Sequence, residues 1–497
     1  MDQQPKHEEI YVISDLHMGG EVGFQILKET KRLAGFISWV AEQRPNESVA
    51  LVLNGDVFDT LAENALQGYI AIDNAPKIIH RIMTDDSFVG IWRALADFVK
   101  RKNRTLICIL GNHDLELAFP SVQRFIRDRL AGSDLAAWAR IEFSTIGAGY
   151  NCLVGNTTIY CTHGNEVDEW NFTRYEDLSK AARRLSAGRS LGQSEWYPNA
   201  GTKMVRDIMN DVKLKYRWVD LLKPEMDAAV SVLTVLEPAV LGKLASVAAL
   251  LTESKIEKAE ADARLSGKSV STARHSVSTV DVHSLLGPQL MEAINGNICV
   301  GAMSADAMLR QAEQNMSISH RTKRVTQDGT LGRWQYYVDR LSGVEPEEAL
   351  RRAVIDWIKD DRSFMFDHHD ETFERICNAV SPDIDVVITG HTHLARSISR
   401  GSGRHYFNSG TWIRLMQFTN EMLKDADSFR PVYRVLVKGD IESIDNPAQK
   451  EKSILLDRTC VVRISTSANG VIGQLLNVVG DGGSKPVPSG ADEFRKS

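Results

Sequence analysis

Five short motifs contain the residue types that bind cations in proteins, namely Asp, Asn and His. In chain order they are Ser14-Asp15-Leu16-His17, Asn54-Gly55-Asp56-Val57-Phe58-Asp59, Gly111-Asn112-His113-Asp114, Thr162-His163-Gly164-Asn165 and Thr389-Gly390-His391-Thr392-His393. An Asp and a His two residues apart on an irregular turn can direct an oxygen and a nitrogen at one ion. Such mixed ligands suit borderline divalent cations. The motifs therefore predict a divalent-metal centre, although any one of them alone is more typical of a surface turn or a helix cap.

Each motif directly follows a short apolar segment rich in β-branched residues, which predicts a buried strand. The predicted strands cover residues 10–14, 50–54, 105–110, 157–162 and 384–389. Amphipathic segments at 23–43 and 88–102 lie between some of them, and this alternation is typical of an α/β fold. Because ligands bind at the carboxyl ends of strands in such folds, we expect the motifs to converge.

The ordered motifs DxH, GDxxD, GNHD, HG and GHTH resemble those of the calcineurin-like metallophosphoesterase superfamily over about residues 10–170 and 380–415. The resemblance implies a four-layer α/β/β/α sandwich of mixed sheets. It implies that one metal is bound by Asp15, His17 and His393, the other by Asn112, His163 and His391, and that Asp56 bridges them. His113 and Asp114 are the predicted catalytic residues, and Asp59 and Asp114 also resemble groups that orient imidazoles.

This ligand set predicts a metal-dependent phosphoric ester hydrolase, either a phosphodiesterase or a pyrophosphatase. The predicted cofactors are two divalent ions, with manganese favoured and iron, zinc or nickel as alternatives. The ions would lower the pKa of a shared water, and the resulting hydroxide would attack phosphorus. His113 would then act as a proton donor or as a positive hydrogen-bond donor to the phosphoryl group or the leaving oxygen.

A helical insertion is predicted between the fourth and fifth motifs, because strand signals nearly vanish from about residue 168 to residue 370. Helical patterns occur at 202–222, 225–262, 302–316 and 346–360. The predicted organisation is therefore a phosphoesterase domain in two parts, 1–167 and 371–480, a helical cap at 168–370 and a flexible tail at 481–497. Strands predicted at 432–438 and 459–465 would close the sheet. The segment around Asn408 and Trp412 is expected to be structural first, with either residue a secondary candidate for a position near substrate.

The cap is expected to select the substrate, which is predicted to be a small phosphoester, either a nucleotide or a lipid-linked molecule. Residues 174–223 contain eleven Lys or Arg against six Asp or Glu, with Trp196, Tyr197, Tyr216 and Trp218 among them. Such a surface could bind a second phosphate or a nucleobase. A solvated helix face with aromatic core anchors is the favoured alternative. A helical cap also resembles that of the UDP-diacylglucosamine diphosphatases, although those shorter enzymes typically carry Arg where this chain has His113.

The apolar stretch 228–251 contains Glu237, Pro238 and Lys243 near its centre, which disfavours a membrane span. A buried helix pair is favoured, with peripheral membrane binding or self-association as alternatives.

Six scattered cysteines and a polar N-terminus without an apolar signal segment predict a cytoplasmic protein. A nuclease is disfavoured by the net charge of -6, and a metal-binding interaction protein without turnover is disfavoured by the complete ligand set.

Overall fold

The computed structural model describes residues 4–66, 68–191, 196–223, 232, 236, 344–358, 361–444, 454–480, 486–488 and 493–496. These residues form two compact units. The first comprises residues 1–210, 362–415 and 455–497, and the second comprises 211–361 and 416–454. The predicted helices at 225–262 and 302–316 and the apolar stretch 228–251 lie outside the described residues, apart from two single positions.

The first unit contains most of the strands. They are β1 (Lys6–His7), β2 (Glu9–Ile13), β3 (Val49–Asn54), β4 (Arg104–Ile109), β5 (Ile141–Ser144), β6 (Tyr150–Val154), β7 (Thr157–Cys161), β8 (Val386–Thr389), β9 (Arg396–Gly401), β10 (Arg404–Asn408), β11 (Leu415–Met416, which reaches the second unit), β12 (Leu455–Leu456), β13 (Cys460–Ser467), β14 (Gly470–Val478), β15 (Pro486–Pro488) and β16 (Phe494–Lys496). One sheet has the order β1-β6-β7-β8-β10-β9, and the other has the order β15-β14-β13-β2-β3-β4-β5, with β16 beside β14. Both sheets are mixed, because β2 to β5 are parallel while β13 is antiparallel to β2, and β7 is parallel to β8 while β9 is antiparallel to β10.

The helices of this unit are α1 (Thr30–Glu42), α2 (Ala75–Thr84), α3 (Val89–Lys100), α4 (Pro120–Ala131), α5 (Leu135–Ala139), α6 (Tyr175–Ser186), α7 (Ala200–Met204), which continues as a π-helical segment (Val205–Met209), and α10 (Glu371–Ala379). Helix α1 buries Leu33, Phe36, Ile37, Val40 and Ala41, the spacing of a single helical face. The predicted helix at 23–43 therefore begins seven residues later than expected, at Thr30.

The alternation of side chains along β2 shows the layering of the fold. Ile10 and Val12 point into an apolar core that also contains Cys152, Ile159 and Phe407 of the other sheet. Tyr11 and Ile13 point the opposite way, into a core shared with helices α1 to α4. On the far side of the other sheet, Phe373 and Ile376 of α10 pack against Val387, Ile398 and Tyr406. The order of layers is thus helix, sheet, sheet, helix, which confirms the predicted α/β/β/α sandwich.

The second unit contains α8 (Asn210–Lys215, whose first residue belongs to the first unit), α9 (Pro346–Ile358), α11 (Ala426–Lys438) and α12 (Ile441–Ile444). Trp218 is fully buried there and donates its indole N–H to Leu436 O at 3.1 Å. The Arg351 side chain donates to Leu423 O at 2.7 Å. None of the helices in the described part of the chain combines the length and the apolar character of a membrane span.

The prediction of a strand at 432–438 is wrong, because these residues form the second half of α11. The β-branched residues that suggested a strand, Val432 and Val435, lie on one helical face with Phe429 and Leu436. Asp425 caps this helix by accepting a hydrogen bond from Ser428 N at 2.8 Å. The strand predicted at 459–465 is present as β13, and no strand occurs among the described residues from 168 to 370.

The segment predicted as a flexible tail contributes two strands, β15 and β16, which pair antiparallel with β14. The physical reason is Phe494, which is buried in the core between the sheets near His405. The limits predicted for the insertion, 168 and 370, remain a prediction. The boundaries between the compact units lie at 210/211 and 361/362, and the second unit also includes residues 416–454.

Candidate metal centre

The five motifs meet at one place, because each follows the carboxyl end of a strand. Asp15 and His17 follow β2, Asp56 follows β3, Asn112 follows β4, His163 follows β7, and His391 and His393 follow β8. Three sets of possible ligand atoms each lie within 4.8 Å of one another: Asp15, His17 and His393; Asp56, His163 and His391; and His17, Asp56 and His113. Except for His113 and His391, which are largely enclosed, these residues are buried.

The first set directs three ligand atoms at one point. The Nε2 atoms of His17 and His393 lie 3.0 Å apart, and His393 Nε2 lies 3.3 Å from Asp15 Oδ1. This is the arrangement expected of ligands that share an ion. It supports the prediction that these three residues bind the same metal.

The Asp56 carboxylate lies between the two sets. Its Oδ2 atom is 3.3 Å from His163 Nε2 and 3.8 Å from His17 Nε2. The other nitrogen of the His163 ring, Nδ1, donates to Asn54 O at 2.8 Å, so that Nε2 faces the centre. This position supports the prediction that Asp56 bridges two ions.

The backbone is strained at the candidate ligands. In the described part of the chain, eight residues other than glycine have a positive φ, and five of them belong to the set: Asp15 at 55°, His17 at 46°, Asp56 at 52°, His391 at 67° and His393 at 62°. Residues with a Cβ adopt this region rarely and at a cost in free energy. The surrounding sheets therefore impose these conformations, which is typical of functional sites.

Two glycines allow the backbone to approach the ligands. A Cβ atom at Gly111 would overlap the carboxylate and the backbone nitrogen of Asp56. A Cβ atom at Gly55, where φ is 87°, would overlap the His163 ring. The glycines of the GD and GN motifs are thus required by packing around the centre.

The charges of the centre are strongly coupled. Burial alone would raise the pKa of Asp15, but the His393 imidazole outweighs it and holds that pKa at about 2. Burial likewise opposes ionisation of Asp56, yet the imidazoles of His163 and His113 hold the pKa of Asp56 well below its ordinary range. In the metal-free chain, burial would lower the pKa of His163, but the Asp56 carboxylate raises it to about 10. The centre thus offers ionised carboxylates, and a cation bound at His163 replaces a proton.

Asn112 gives direct evidence that the residues fit a cation. Its amide oxygen is buried and has no hydrogen-bond partner among the described residues, while its amide nitrogen lies 3.5 Å from Asn171 Oδ1. A buried acceptor without a donor is costly, and a divalent ion would satisfy it. The donor set of carboxylate oxygens, an amide oxygen and imidazole nitrogens is therefore suited to divalent metals.

His113 lies at the edge of the centre. Its ring is 18% exposed, more than the candidate histidine ligands, and its backbone N–H donates to Asp56 Oδ1 at 2.9 Å. Its Nδ1 atom lies 3.2 Å from Asp59 Oδ1. Although burial would raise the pKa of Asp59, the His113 imidazole lowers it, so that this carboxylate is ionised. The contact supports the predicted role of Asp59 in orienting an imidazole.

Asp114 contacts backbone groups in its described hydrogen bonds. Its two oxygens accept from Gly111 N at 2.7 Å and from Val57 N at 2.8 Å, which ties the turn after β4 to the turn after β3. Burial raises the pKa of Asp114 to about 7. These bonds point to a brace of the two ligand turns, and the predicted catalytic role of Asp114 remains a prediction.

The residues after the GHTH motif are structural in their contacts. Asn408 donates to Gly390 O at 2.7 Å and so holds the turn that carries His391. Trp412 is fully buried and packs against Phe36. The expectation that one of them touches substrate has no support in these contacts.

Sequence reasoning missed Asp168 and Asn171. Asp168 Oδ2 lies 2.6 Å from His391 Nε2 and accepts from Asn171 Nδ2 at 2.7 Å. The residues stand five and eight positions after His163, at the point where the insertion was predicted to begin. Their spacing carries no signal that separates them from ordinary loop residues, because the contact with His391 is made only in the fold.

Comparison with known proteins agrees with this geometry. Residues 9–216 match the family model described as calcineurin-like phosphoesterase. None of the curated proteins compared with the chain matches it significantly. The matched range contains Asp15, His17, Asp56, Asn112 and His163, while β8 brings His391 and His393 to the same centre from beyond it. The match over residues 9–216 therefore supports the resemblance of this part of the chain to the calcineurin-like metallophosphoesterase superfamily.

Proposed function

We propose that this protein is a phosphodiesterase or pyrophosphatase that depends on two divalent metal ions. The observation that carries the proposal is the convergence of six of the seven predicted ligands on one buried centre, with Asp56 between the two sets and with Asn112 on the turn that follows β4. Manganese is the proposed metal, and iron, zinc and nickel share the same ligand preferences. When two such ions are bound, they supply an activated water and neutralise charge on the phosphoryl oxygens.

The proposed role of His113 is to donate a proton or a hydrogen bond to the substrate. Its Nδ1 atom contacts the ionised Asp59 carboxylate, and Nε2 is the proposed donor to the substrate. A protonated imidazole at this position could stabilise charge on a phosphoryl oxygen or protonate the leaving oxygen.

The proposed substrate is a small phosphoester with a further group to recognise, such as a nucleotide or a lipid-linked diphosphate. Support comes from Tyr197, whose ring is 42% exposed, with the Arg174 guanidinium 4.8 Å and the Lys203 ammonium 4.2 Å from the ring centroid. By contrast, Trp196, Tyr216 and Trp218 are buried, as expected for aromatic core anchors.

A cytoplasmic location is also part of the proposal. It is supported by the five described cysteines, which are free.

The first test compares hydrolysis of bis-p-nitrophenyl phosphate and p-nitrophenyl phosphate by metal-stripped protein to which Mn²⁺ is added. Asp56→Ala should lose both bound metal and activity, because the bridging carboxylate is removed. Asp97→Ala is the matched control, because Asp97 lies on the exposed face of α3. Mn²⁺-dependent cleavage of the diester by the wild type and by Asp97→Ala, but not by Asp56→Ala, supports the proposal. Absence of cleavage of either ester by wild-type protein with two bound ions contradicts it.

A further inference from the structure

A segment directly after His163 contacts the ligands predicted for the second metal. Asp168 Oδ2 lies 2.6 Å from His391 Nε2, and Asp168 is largely enclosed, with its side chain 24% exposed. This is the separation of a charge-assisted hydrogen bond from the imidazole N–H to the carboxylate. One ring nitrogen of His391 is therefore engaged by Asp168.

Asn171 extends this contact to a second ligand. Its amide nitrogen donates to Asp168 Oδ2 at 2.7 Å, and its amide oxygen lies 3.5 Å from Asn112 Nδ2. With the amide nitrogen of Asn112 turned toward Asn171, its oxygen is turned to the centre, where it has no hydrogen-bond partner among the described residues. The path from His391 through Asp168 and Asn171 to Asn112 thus joins two of the three terminal ligands of one metal.

The Asp168 carboxylate is itself fixed. Its Oδ1 atom accepts from Trp170 N at 2.8 Å, in a turn of the chain that leaves Oδ2 for His391 and Asn171. Gly201 at the start of α7 donates its backbone N–H to Trp170 O at 2.8 Å, and a Cβ atom there would overlap Asn171 Oδ1. The hydrogen bond to Trp170 N and the packing of Gly201 against this turn therefore fix the orientation of the Asp168 carboxylate.

We propose that Asp168 is a positioning residue for the second metal, which it serves by holding His391 in the tautomer that carries a proton on Nε2 and offers Nδ1 as the ligand. The inference rests on the proposed function, because it presupposes the second ion. Asp168 is not itself a catalytic residue, since its described contacts are with His391, with the Asn171 side chain and with the backbone of Trp170. Carboxylates that bind the far nitrogen of a metal-ligating histidine fix the ring and raise its basicity, and their loss typically weakens metal binding about 10- to 100-fold.

The discriminating variant is Asp168→Asn. An asparagine keeps the size of the side chain and, with its oxygen toward Trp170 N, keeps the turn. Its amide nitrogen then faces His391 Nε2 and donates to it, which favours a proton on Nδ1 and removes the ligand lone pair. Because Asn171 Nδ2 also donates to Asp168 Oδ2, Asp168→Asn loses that bond too, and Asn171→Ala, which loses the same bond with Asp168 intact, separates this loss from the change of tautomer.

The matched control is Glu169→Gln. It makes the same change of charge at the next residue, where the carboxylate contacts Arg375 Nη2 at 2.9 Å and no predicted ligand in its described bonds. Binding of Mn²⁺ to metal-stripped protein is measured by isothermal titration calorimetry, and bound ions are counted by inductively coupled plasma mass spectrometry. Thermal unfolding of the metal-free proteins serves as a check of folding.

The expected result is that Asp168→Asn binds one of the two ions about 10- to 100-fold less tightly and the other ion as the wild type does. Glu169→Gln should match the wild type at both sites. Unchanged dissociation constants in Asp168→Asn overturn the inference, and so does an equal loss at both sites. If Asp168→Asn does not fold, Asn171→Ala is measured in its place. An unchanged dissociation constant for the second ion in Asn171→Ala refutes the path that runs from His391 through Asp168 and Asn171 to Asn112. Wild-type protein that binds two ions without hydrolysing esters refutes the proposed function but not this inference.

Discussion

Glu116 provides a test of how a buried acid contributes to the free energy of unfolding near the candidate metal centre. Its hydrogen bonds connect the loops around His113. Its side chain is almost fully buried, and its oxygens accept from Ala71 N at 2.6 Å and from the Thr60 hydroxyl at 2.9 Å. Thr60 Oγ1 also lies 3.0 Å from His113 O. The perturbation is Glu116→Gln, which keeps the shape of the side chain and removes its titration.

The size of the expected change in unfolding free energy follows from the pKa of Glu116. Burial raises the pKa of Glu116 from 4.5 to about 7, so the folded protein holds this proton more tightly than the unfolded chain does. The stability that this proton contributes is fully present below pH 4.5 and is lost as the pH rises through about 7. Since one pH unit corresponds to about 1.36 kcal/mol, the free energy of unfolding should lose about 3 kcal/mol over this range.

The assay is urea unfolding of metal-free protein between pH 4.5 and pH 7.5, compared for the wild type, Glu116→Gln and Glu42→Gln. Glu42 is the control because its side chain is 68% exposed at the end of α1. The difference in unfolding free energy between the wild type and Glu116→Gln should fall by about 3 kcal/mol with rising pH, and the Glu42→Gln series shows how much of that change comes from removing an exposed carboxylate. A difference for Glu116→Gln that does not change with pH refutes the reasoning.

Three further predictions concern the centre itself. His113→Ala should retain both ions but lower the turnover number by about 100-fold or more, measured with the diester substrate; an unchanged rate would remove His113 from the mechanism. Gly111→Ala should lose about 1–3 kcal/mol of unfolding free energy and bind less metal, because a Cβ atom there overlaps Asp56, whereas Gly90→Ala, with no atom within 4 Å of the added carbon, should be neutral or stabilising. Mn²⁺ at 100 times its dissociation constant should stabilise the wild type by about 2.7 kcal/mol per site in thermal unfolding, and a chelator should abolish this gain; an equal gain in Asp56→Ala would contradict the assignment.

The strands that carry the candidate ligands could be predicted because their signals are local. Each ligand motif directly follows a short apolar run, and the carboxyl ends of neighbouring strands necessarily meet. Those runs proved to be β2, β3, β4, β7 and β8, with limits within two residues of those predicted. The layered fold followed from the resemblance to a superfamily, since no local pattern states how two sheets pack.

The wrong or missed predictions concern segments whose structure depends on tertiary contacts. Val432 and Val435 suggested a strand, but their partners Phe429 and Leu436 are at helical spacing, and the Asp425 cap starts a helix. Phe494 carries no signal for pairing with β14, yet it is buried between the sheets and lies in the strand that pairs with β14. Asp168 contacts His391, which lies 223 residues later in the chain, and the sequence alone does not show that the two residues are close in space.

The same separation determines when the centre can exist during protein synthesis. A ribosome that adds about 5–20 residues per second needs roughly 10–45 s to pass from Asp168 to His391. During that interval the nascent chain carries the first four ligand motifs without the last, and β2 has no β13 beside it. The exposed edge of β2 and the half-built cluster of carboxylates and imidazoles are then open to wrong partners, including misplaced metal ions. Assembly of the complete candidate metal centre is therefore confined to the final stage of synthesis or to the released chain.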